Sequence, residues 1–193
     1  MQSNTQQYTN HTGGAKGADC LWKTIGLLYG VKTIDWMPGD INNLSPEEYN
    51  RMLSDVNSAA EALKRPKQFK GLGWVQRDWI QADKGQAIYA IGRIIPPGET
   101  CYQGFVNESG KEVVAGGTGW AVEMGIQMGK PVMVFDMNRN GWFWWQNDAQ
   151  EFREIPTPTL SPSFTGIGSR NITLQGGWAI RNVYEKTFGK VEL

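Results

Sequence analysis

Three glycine-rich segments, far apart in the chain, each stand between a predicted β-strand and a predicted α-helix. They are TGGAKGAD at residues 12–19, AGGTGWAVE at residues 115–123 and TGIGSR at residues 165–170. Strands that alternate with helices favour an α/β fold with a mostly parallel sheet. In such a sheet, the loops that follow the strands gather at one edge, where α/β proteins bind ligands. The three segments therefore constrain both the fold and the position of a site.

The spacing of apolar residues predicts the elements around these segments. A helix is expected from the first glycine segment to about Tyr29, and Gly30 ends it. Ser45, Pro46 and Glu48 predict the start of a second helix, which runs to about residue 63. Further helices are predicted at residues 71–82 and 174–188, and strands at residues 31–34, 87–95, 113–115 and 131–136. Residues 164–170 predict a strand that runs into a Gly/Ser turn.

Two stretches lack a regular pattern. Residues 1–12 are polar and predict either a frayed arm or an edge strand, and the Trp- and Pro-rich residues 138–162 predict an irregular excursion. The 193 residues contain no evident linker and no internal repeat, so residues 1–193 are expected to form one domain. The predicted fold class is α/β, a Rossmann-like three-layer fold with a mostly parallel sheet.

Composition argues against several classes of function. The 19 Lys and Arg residues balance 19 Asp and Glu residues, whereas binding to nucleic acid usually requires a basic face. No apolar run approaches the roughly 18 residues of a membrane span, so no membrane partner is expected. Cys20 and Cys101 are the only cysteines and no secretory signal is visible, which predicts the cytoplasm. His11 is the only histidine, which excludes a histidine-rich metal site, and no metal is predicted. No cofactor is predicted either.

The position of the glycines suggests anion binding. A helix N-terminus carries unpaired amides and a partial positive charge, and therefore holds phosphate or carboxylate well. Glycine allows the backbone to approach such an anion and to turn sharply. The alternative is that the glycines serve only tight turns between strands and helices.

The three segments together resemble the SLOG superfamily, which includes the DprA-type DNA-processing proteins and the LOG phosphoribohydrolases. GGAKGAD is similar to the SGGAxGxD loop of that superfamily, and GIGSR resembles the GSR element that usually opens its fold. GGTGWAVE resembles the LOG pattern GGxGTxxE, with Gly116, Gly117, Gly119 and Glu123 in register. Because the GSR element comes last in this chain, the resemblance implies a circularly permuted SLOG domain.

This resemblance implies a nucleotide-derived ligand, either ADP-ribose-like or a cyclic nucleotide signal, which the protein senses or sequesters. It also implies a homo-oligomer. The alternative is a nucleotide N-glycosidase, phosphoribohydrolase or ribosyltransferase in which Glu123 stabilises an oxocarbenium-like state. However, Trp120 replaces the LOG threonine and the LOG arginine motif is missing, which favours a binder. A DNA-processing module is the third alternative.

The predicted ligand-binding residues are Gly13, Gly14, Ala15, Lys16, Asp19, Gly116, Gly117, Thr118, Gly119, Trp120, Gly168, Ser169 and Arg170. Arg170 is expected to make bidentate phosphate contacts, with Ser169 donating to the same group or capping the next helix. Lys16 either meets a phosphate or is solvated.

Other polar and aromatic residues each have two interpretations. Asp19 either binds a ribose or orders its loop. Trp120 either stacks on a base or packs in the core. Glu123 is either catalytic or complements the helix dipole. Arg77, within a predicted helix, either reaches the pocket or forms a surface ion pair, and the surface ion pair is the favoured interpretation.

Overall fold

A computed structural model describes residues 7–67, 70–100 and 106–191 of this chain. Its strands are β1 (Thr9–Thr12), β2 (Lys32–Asp35), β3 (Ala87–Gly92), β4 (Ile94–Ile95), β5 (Val113–Val114), β6 (Val132–Asp136), β7 (Gly141–Gln146), β8 (Glu151–Ile155) and β9 (Ser163–Gly168). Its helices are α1 (Ala18–Leu28), α2 (Pro46–Ala62), α3 (Leu72–Lys84), α4 (Thr118–Gln127) and α5 (Leu174–Phe188), and a short 3-10 helix spans Pro38–Asn43.

Seven strands form one sheet in the order β2-β1-β9-β3-β6-β7-β8. The five neighbouring strands β2, β1, β9, β3 and β6 pair in parallel. β7 and β8 extend the sheet beside β6 in antiparallel pairing. β4 and β5 pair separately in a two-stranded sheet. The predicted α/β, Rossmann-like fold with three layers is confirmed.

Successive side chains of the sheet point to opposite faces, and a hydrophobic core lies on each face. Along β3, Ile88 and Ala90 belong to a core shared with α2, α3 and α4, whereas Tyr89 and Ile91 belong to a core shared with α1 and α5. All six residues of β3 are buried. A strand covered on both faces needs apolar residues at every position, which explains the near-continuous apolar run at this point of the sequence.

Two predictions of local structure are wrong. Residues 141–155 form the hairpin of β7 and β8 instead of an irregular excursion, and its aromatic residues lacked the alternation that identifies a strand. Asn140, with a φ of +53°, precedes β7 and was the available turn signal. At the N-terminus, β1 lies between β2 and β9 and is therefore not an edge strand, while residues 1–6 of that prediction lie outside the described residues.

None of the helices in the described residues is long and apolar enough to cross a membrane.

Candidate functional site: a cleft at the carboxyl edge of the sheet

The carboxyl ends of the parallel strands open into a cleft of about 910 Å³. All three glycine-rich segments contribute to its lining, although they are distant in sequence. The predicted residues that line it are Gly13, Gly14, Ala15, Lys16, Asp19, Gly116, Gly117, Thr118, Gly168, Ser169 and Arg170. The fold thus brings together residues that the sequence identified separately.

Close backbone contacts join the first and third glycine loops. Gly17 has a φ of +99°, and a Cβ at this position would lie 2.5 Å from the carbonyl oxygens of Ser169 and Arg170. The amide of Ala18 donates to the Ser169 carbonyl over 3.0 Å. A side chain at Gly17 would separate these segments, so glycine is required there by both its φ and its contacts.

The buried Asp19 carboxylate also joins the two loops. Its Oδ1 accepts a hydrogen bond of 3.0 Å from the amide of Gly168. Burial raises the pKa of Asp19 to about 6, and the nearby charge of Asp78 adds to this rise, whereas Arg77 and backbone amides oppose it. Of the two interpretations from sequence, these contacts favour the ordering of the loops.

The helices that begin at two of these loops have no side-chain cap. α1 begins after Gly17 and α4 after Gly117, and neither N-terminus receives a capping hydrogen bond from a side chain. By contrast, Ser45 caps α2 and Thr173 caps α5. The amides of Ala18 and Cys20 in α1 and of Gly119 and Trp120 in α4 donate to backbone carbonyls, so these N-termini offer an anion the positive potential of the helix rather than a row of free amides.

Three cationic side chains surround the mouth of the cleft. Lys16, Arg93 and Arg170 line it and are exposed. Within the described part of the chain, none of the three forms an ion pair, so their charges are available to an anionic ligand. Arg93 was missed because the sequence placed it inside one long strand, whereas β3 ends at Gly92 and β4 begins at Ile94.

Helix α3 contributes to the cleft a buried polar cluster of Arg77, Asp78 and Gln81. Arg77 Nη1 donates to the Gly13 carbonyl over 3.1 Å, and its Nε donates to Asp78 Oδ1 over 3.1 Å. The guanidinium also lies over the ring of Trp74, 5.2 Å from its centroid. The expected surface ion pair is therefore wrong, because Arg77 is only 8% exposed and faces the cleft.

Burial raises the pKa of Asp78 to about 6, although its contacts with Arg77 and Gln81 act in the opposite direction. Asp78 and Gln81 were missed in the sequence, and for Arg77 the other of two interpretations was favoured. They are polar residues on a helix that also carries apolar residues of the core, and their spacing places Gln81 within one turn of both others.

Glu123 lies away from the cleft. Its Oε1 accepts from Lys111 Nζ over 2.8 Å and from Gln127 Nε2 over 2.9 Å, and only 3% of the residue is exposed. Thr118 and Ala121 form the side of α4 that lines the cleft, and Glu123 follows Ala121 by about 200° around the helix. Glu123 therefore does not line the cleft with the other predicted residues, and its catalytic role stays a prediction.

Two further predicted contacts also lie outside the lining. Trp120 is buried in the core beside α2 and α3, and the Arg65 guanidinium lies 5.5 Å from its ring centroid. Of the two interpretations from sequence, the structure therefore shows core packing. This corrects the prediction that Trp120 stacks on a base of the ligand. A Cβ at Gly119 would lie 2.0 Å from the Val114 carbonyl oxygen, so this glycine allows α4 to approach β5 rather than a ligand.

No group of acidic, Cys and His residues that could hold a metal ion occurs within residues 7–67, 70–100 and 106–191. No protein-family model, curated protein or solved structure matches this chain.

Proposed function

We propose that the cleft binds a nucleotide-derived small molecule, an ADP-ribose-like compound or a cyclic nucleotide signal, and that the protein senses or sequesters this molecule. The observation that carries the proposal is the meeting of three distant glycine loops around one cleft. Two of these loops lead into uncapped helix N-termini, which favour phosphate groups. The volume of about 910 Å³ also lies within the usual range for small-molecule sites.

The charges around the mouth support a phosphate-bearing ligand. Arg170 and Arg93 offer planar guanidinium groups that suit bidentate contacts with phosphate oxygens, and Lys16 adds a point charge. The phosphates of the proposed ligand are expected on the loops 13–17, 116–118 and 166–170. The resemblance of these loops to SLOG segments agrees with a nucleotide-derived ligand.

Turnover of the ligand has less support than binding. The N-glycosidase alternative depends on Glu123, whose carboxylate is paired with Lys111 outside the cleft. The nucleic-acid alternative is opposed by the equal numbers of acidic and basic residues. We therefore propose binding without hydrolysis.

Titration calorimetry against ADP-ribose, cyclic ADP-ribose isomers, NAD, AMP and cyclic dinucleotides tests the proposal. At least one of these compounds is expected to bind, and Arg170→Ala is expected to weaken that binding roughly tenfold, because a charged hydrogen bond to phosphate is lost. The matched control is Arg153→Ala, since Arg153 lies on β8, outside the cleft lining, and pairs with Glu151. Absence of binding at millimolar concentrations of all these compounds would reject the proposed function.

Homo-oligomerisation belongs to the same proposal, because the SLOG resemblance implies it. Native mass spectrometry of the purified protein measures the number of subunits and detects any nucleotide that is retained. A monomer without retained ligand would remove the support for assembly while leaving the calorimetric test in place.

A further inference from the structure

The cleft has two chemically different regions. The mouth carries the exposed cations Lys16, Arg93 and Arg170, whereas Asp78 and Gln81 of α3 line it as buried groups. We call the buried group of Arg77, Asp78 and Gln81 the floor. Because the two regions differ in charge and burial, a single ligand must satisfy both with different chemical groups.

The hydrogen bonds of Asp78 converge on one of its two carboxylate oxygens. Oδ1 accepts from Arg77 Nε over 3.1 Å, from Arg77 Nη2, and from Gln81 Nε2 over 3.4 Å. Among the described residues, none donates to Oδ2. A carboxylate has acceptor capacity on both oxygens, so Oδ2 remains able to accept from a ligand.

Gln81 provides a second available acceptor. Its residue is 0% exposed and it lines the cleft, yet its Oε1 has no hydrogen-bond partner in the described part of the chain. Its amide nitrogen is directed to Asp78, which leaves the carbonyl oxygen as the free end. Buried polar atoms are nearly always hydrogen-bonded, so an orphaned acceptor beside a cleft indicates a donor that arrives with the ligand.

We propose that the floor recognises hydroxyl groups of the ligand's sugar, which donate to Gln81 Oε1 and Asp78 Oδ2. This inference rests on the proposed function, since it assigns a part of the same ligand to each region. Phosphate is disfavoured at the floor because its oxygens are hydrogen-bond acceptors and cannot donate to Gln81 Oε1 or Asp78 Oδ2. In addition, the negative charges of Asp19 and Asp78 repel a phosphate. The phosphates therefore face the mouth and the sugar faces α3.

Arg77 acts as a positioning residue in this arrangement. It holds Asp78 through two guanidinium nitrogens and holds the first glycine loop through the Gly13 carbonyl. A Cβ at Gly13 would lie 2.0 Å from Arg77 Nη1, which shows how closely the loop packs on the guanidinium. Arg77 consequently connects the floor to the first glycine loop.

The test compares two probes, ADP-ribose and inorganic pyrophosphate, by titration calorimetry. Gln81→Met keeps the length of the side chain and removes the acceptor, so it is expected to weaken ADP-ribose binding about fivefold to tenfold. Pyrophosphate, which has no sugar, is expected to bind this variant within twofold of the wild-type affinity. Arg170→Ala is expected to weaken both probes, and Gln175→Met, an exposed glutamine of α5, serves as the matched control.

The outcomes separate this inference from the proposed function. If neither probe binds the wild-type protein, the assignment of the floor is overturned, whereas the proposed function fails only if the cyclic ADP-ribose isomers, NAD, AMP and the cyclic dinucleotides do not bind either. If both probes bind but Gln81→Met weakens neither, or weakens both equally, only the assignment of the floor is overturned. Should Gln81→Met fail to fold, the side-chain amide resonances of Gln81 in the wild-type protein decide, because they are expected to shift with ADP-ribose and to remain in place with pyrophosphate.

Discussion

Asp19 and Asp78 bring two acidic groups of raised pKa, each about 6, into one cleft. Burial is the main cause of both rises in pKa, and the charge of Arg77 limits each of them. A carboxyl whose pKa is higher in the folded state than in the unfolded state binds more protons when folded. Its contribution to stability is therefore complete below pH 4 and is lost as the pH rises through about 6.

Asp78→Asn is expected to lower the pKa of Asp19 below its value of about 6. The substitution removes a negative charge that raises this pKa, and it releases Arg77 to interact more closely with Asp19. Carbon-13 NMR titration of the Asp19 carboxyl measures the change. An unchanged or higher midpoint would contradict the electrostatic coupling described for this pair.

His11 gives the opposite dependence on pH. It lies outside the cleft lining, between Ser163, 3.1 Å from its Nε2, and Trp36, whose indole NH donates to its Nδ1 over 3.2 Å. Burial lowers the pKa of His11 to about 4, and Lys130 is the largest of the cationic contributions. The neutral form is favoured in the fold, so its contribution to stability is present above about pH 6.5 and is lost as the pH falls through about 4.

His11→Gln is expected to reduce this loss of stability on acidification. The free energy of unfolding should fall less from pH 7 to pH 5 in the variant than in the wild-type protein. The reason is that the variant has no histidine that takes up a proton on unfolding. Urea denaturation at both pH values provides the measurement. Equal pH dependence in the two proteins would show that His11 is not buried as a neutral group.

At the level of elements, α3 connects the core to the cleft. Its polar residues form the floor, while Trp79 and Ile80 pack in the core beside α2 and α4. Lys130, from the segment before β6, holds the end of this helix, since its Nζ donates over 2.6 Å to the carbonyl oxygens of Ala82, Asp83 and Gly85. A cation at a helix C-terminus satisfies carbonyls that have no partner within the helix.

Lys130→Met is expected to reduce the free energy of unfolding by about 1.5–3 kcal/mol, the usual range for hydrogen bonds to a charged group. The aliphatic stem is retained, so the lost stability reports on the ammonium group. Lys190→Met, at an exposed position beyond α5, provides the control in the same urea titration. A loss for Lys130→Met no larger than that of the control would show that this ammonium group does not stabilise α3.

The elements with strong local signals followed from the sequence. α5 has the bounds predicted from its apolar spacing, and the capping pattern of Ser45 and Glu48 located the start of α2. The hairpin of β7 and β8 did not follow, because its burial depends on pairing with β6 and not on a pattern of its own.

The residues of the cleft that the backbone topology brings together could be predicted from the sequence. The residues whose place depends on the direction of a side chain could not. Glycine loops between strands and helices identified their shared edge, since topology alone brings them together. Glu123 fitted a motif in the sequence, but the turn of α4 directs it to Lys111 instead. The sequence did not decide between a pocket and a surface position for Arg77, because its burial depends on the first glycine loop, 64 residues earlier in the chain.

For the whole molecule, the position of β9 is the distinctive feature. This last strand pairs with β1 on one side and with β3 on the other, in the middle of the sheet. The ends of the described chain lie close together, since the ring of Tyr8 is 4.8 Å from that of Phe188. Adjacent ends allow a chain to be permuted without changing its packing.

A circular permutant that begins at Thr157, ends at Pro156 and joins residue 193 to residue 1 is expected to fold to the same sheet. The order of elements would then begin with β9 and α5, as in the order implied by the SLOG resemblance. Circular dichroism and thermal unfolding measure the outcome, and a melting temperature within about 10 °C of the parent is expected, because only surface connections change. A permutant without cooperative unfolding would show that the native connection between β8 and β9 is essential.

The central position of β9 in the sheet also affects how the protein can fold while it is being synthesised. While a ribosome is still translating residues 163–168, the strands β1 and β3 have no partner between them, and the loop ending in Gly168 cannot yet bind the Asp19 carboxylate. The nascent polypeptide therefore cannot complete the cleft at the carboxyl edge of the sheet until β9 has emerged from the ribosome, although β1 and β3 are synthesised much earlier.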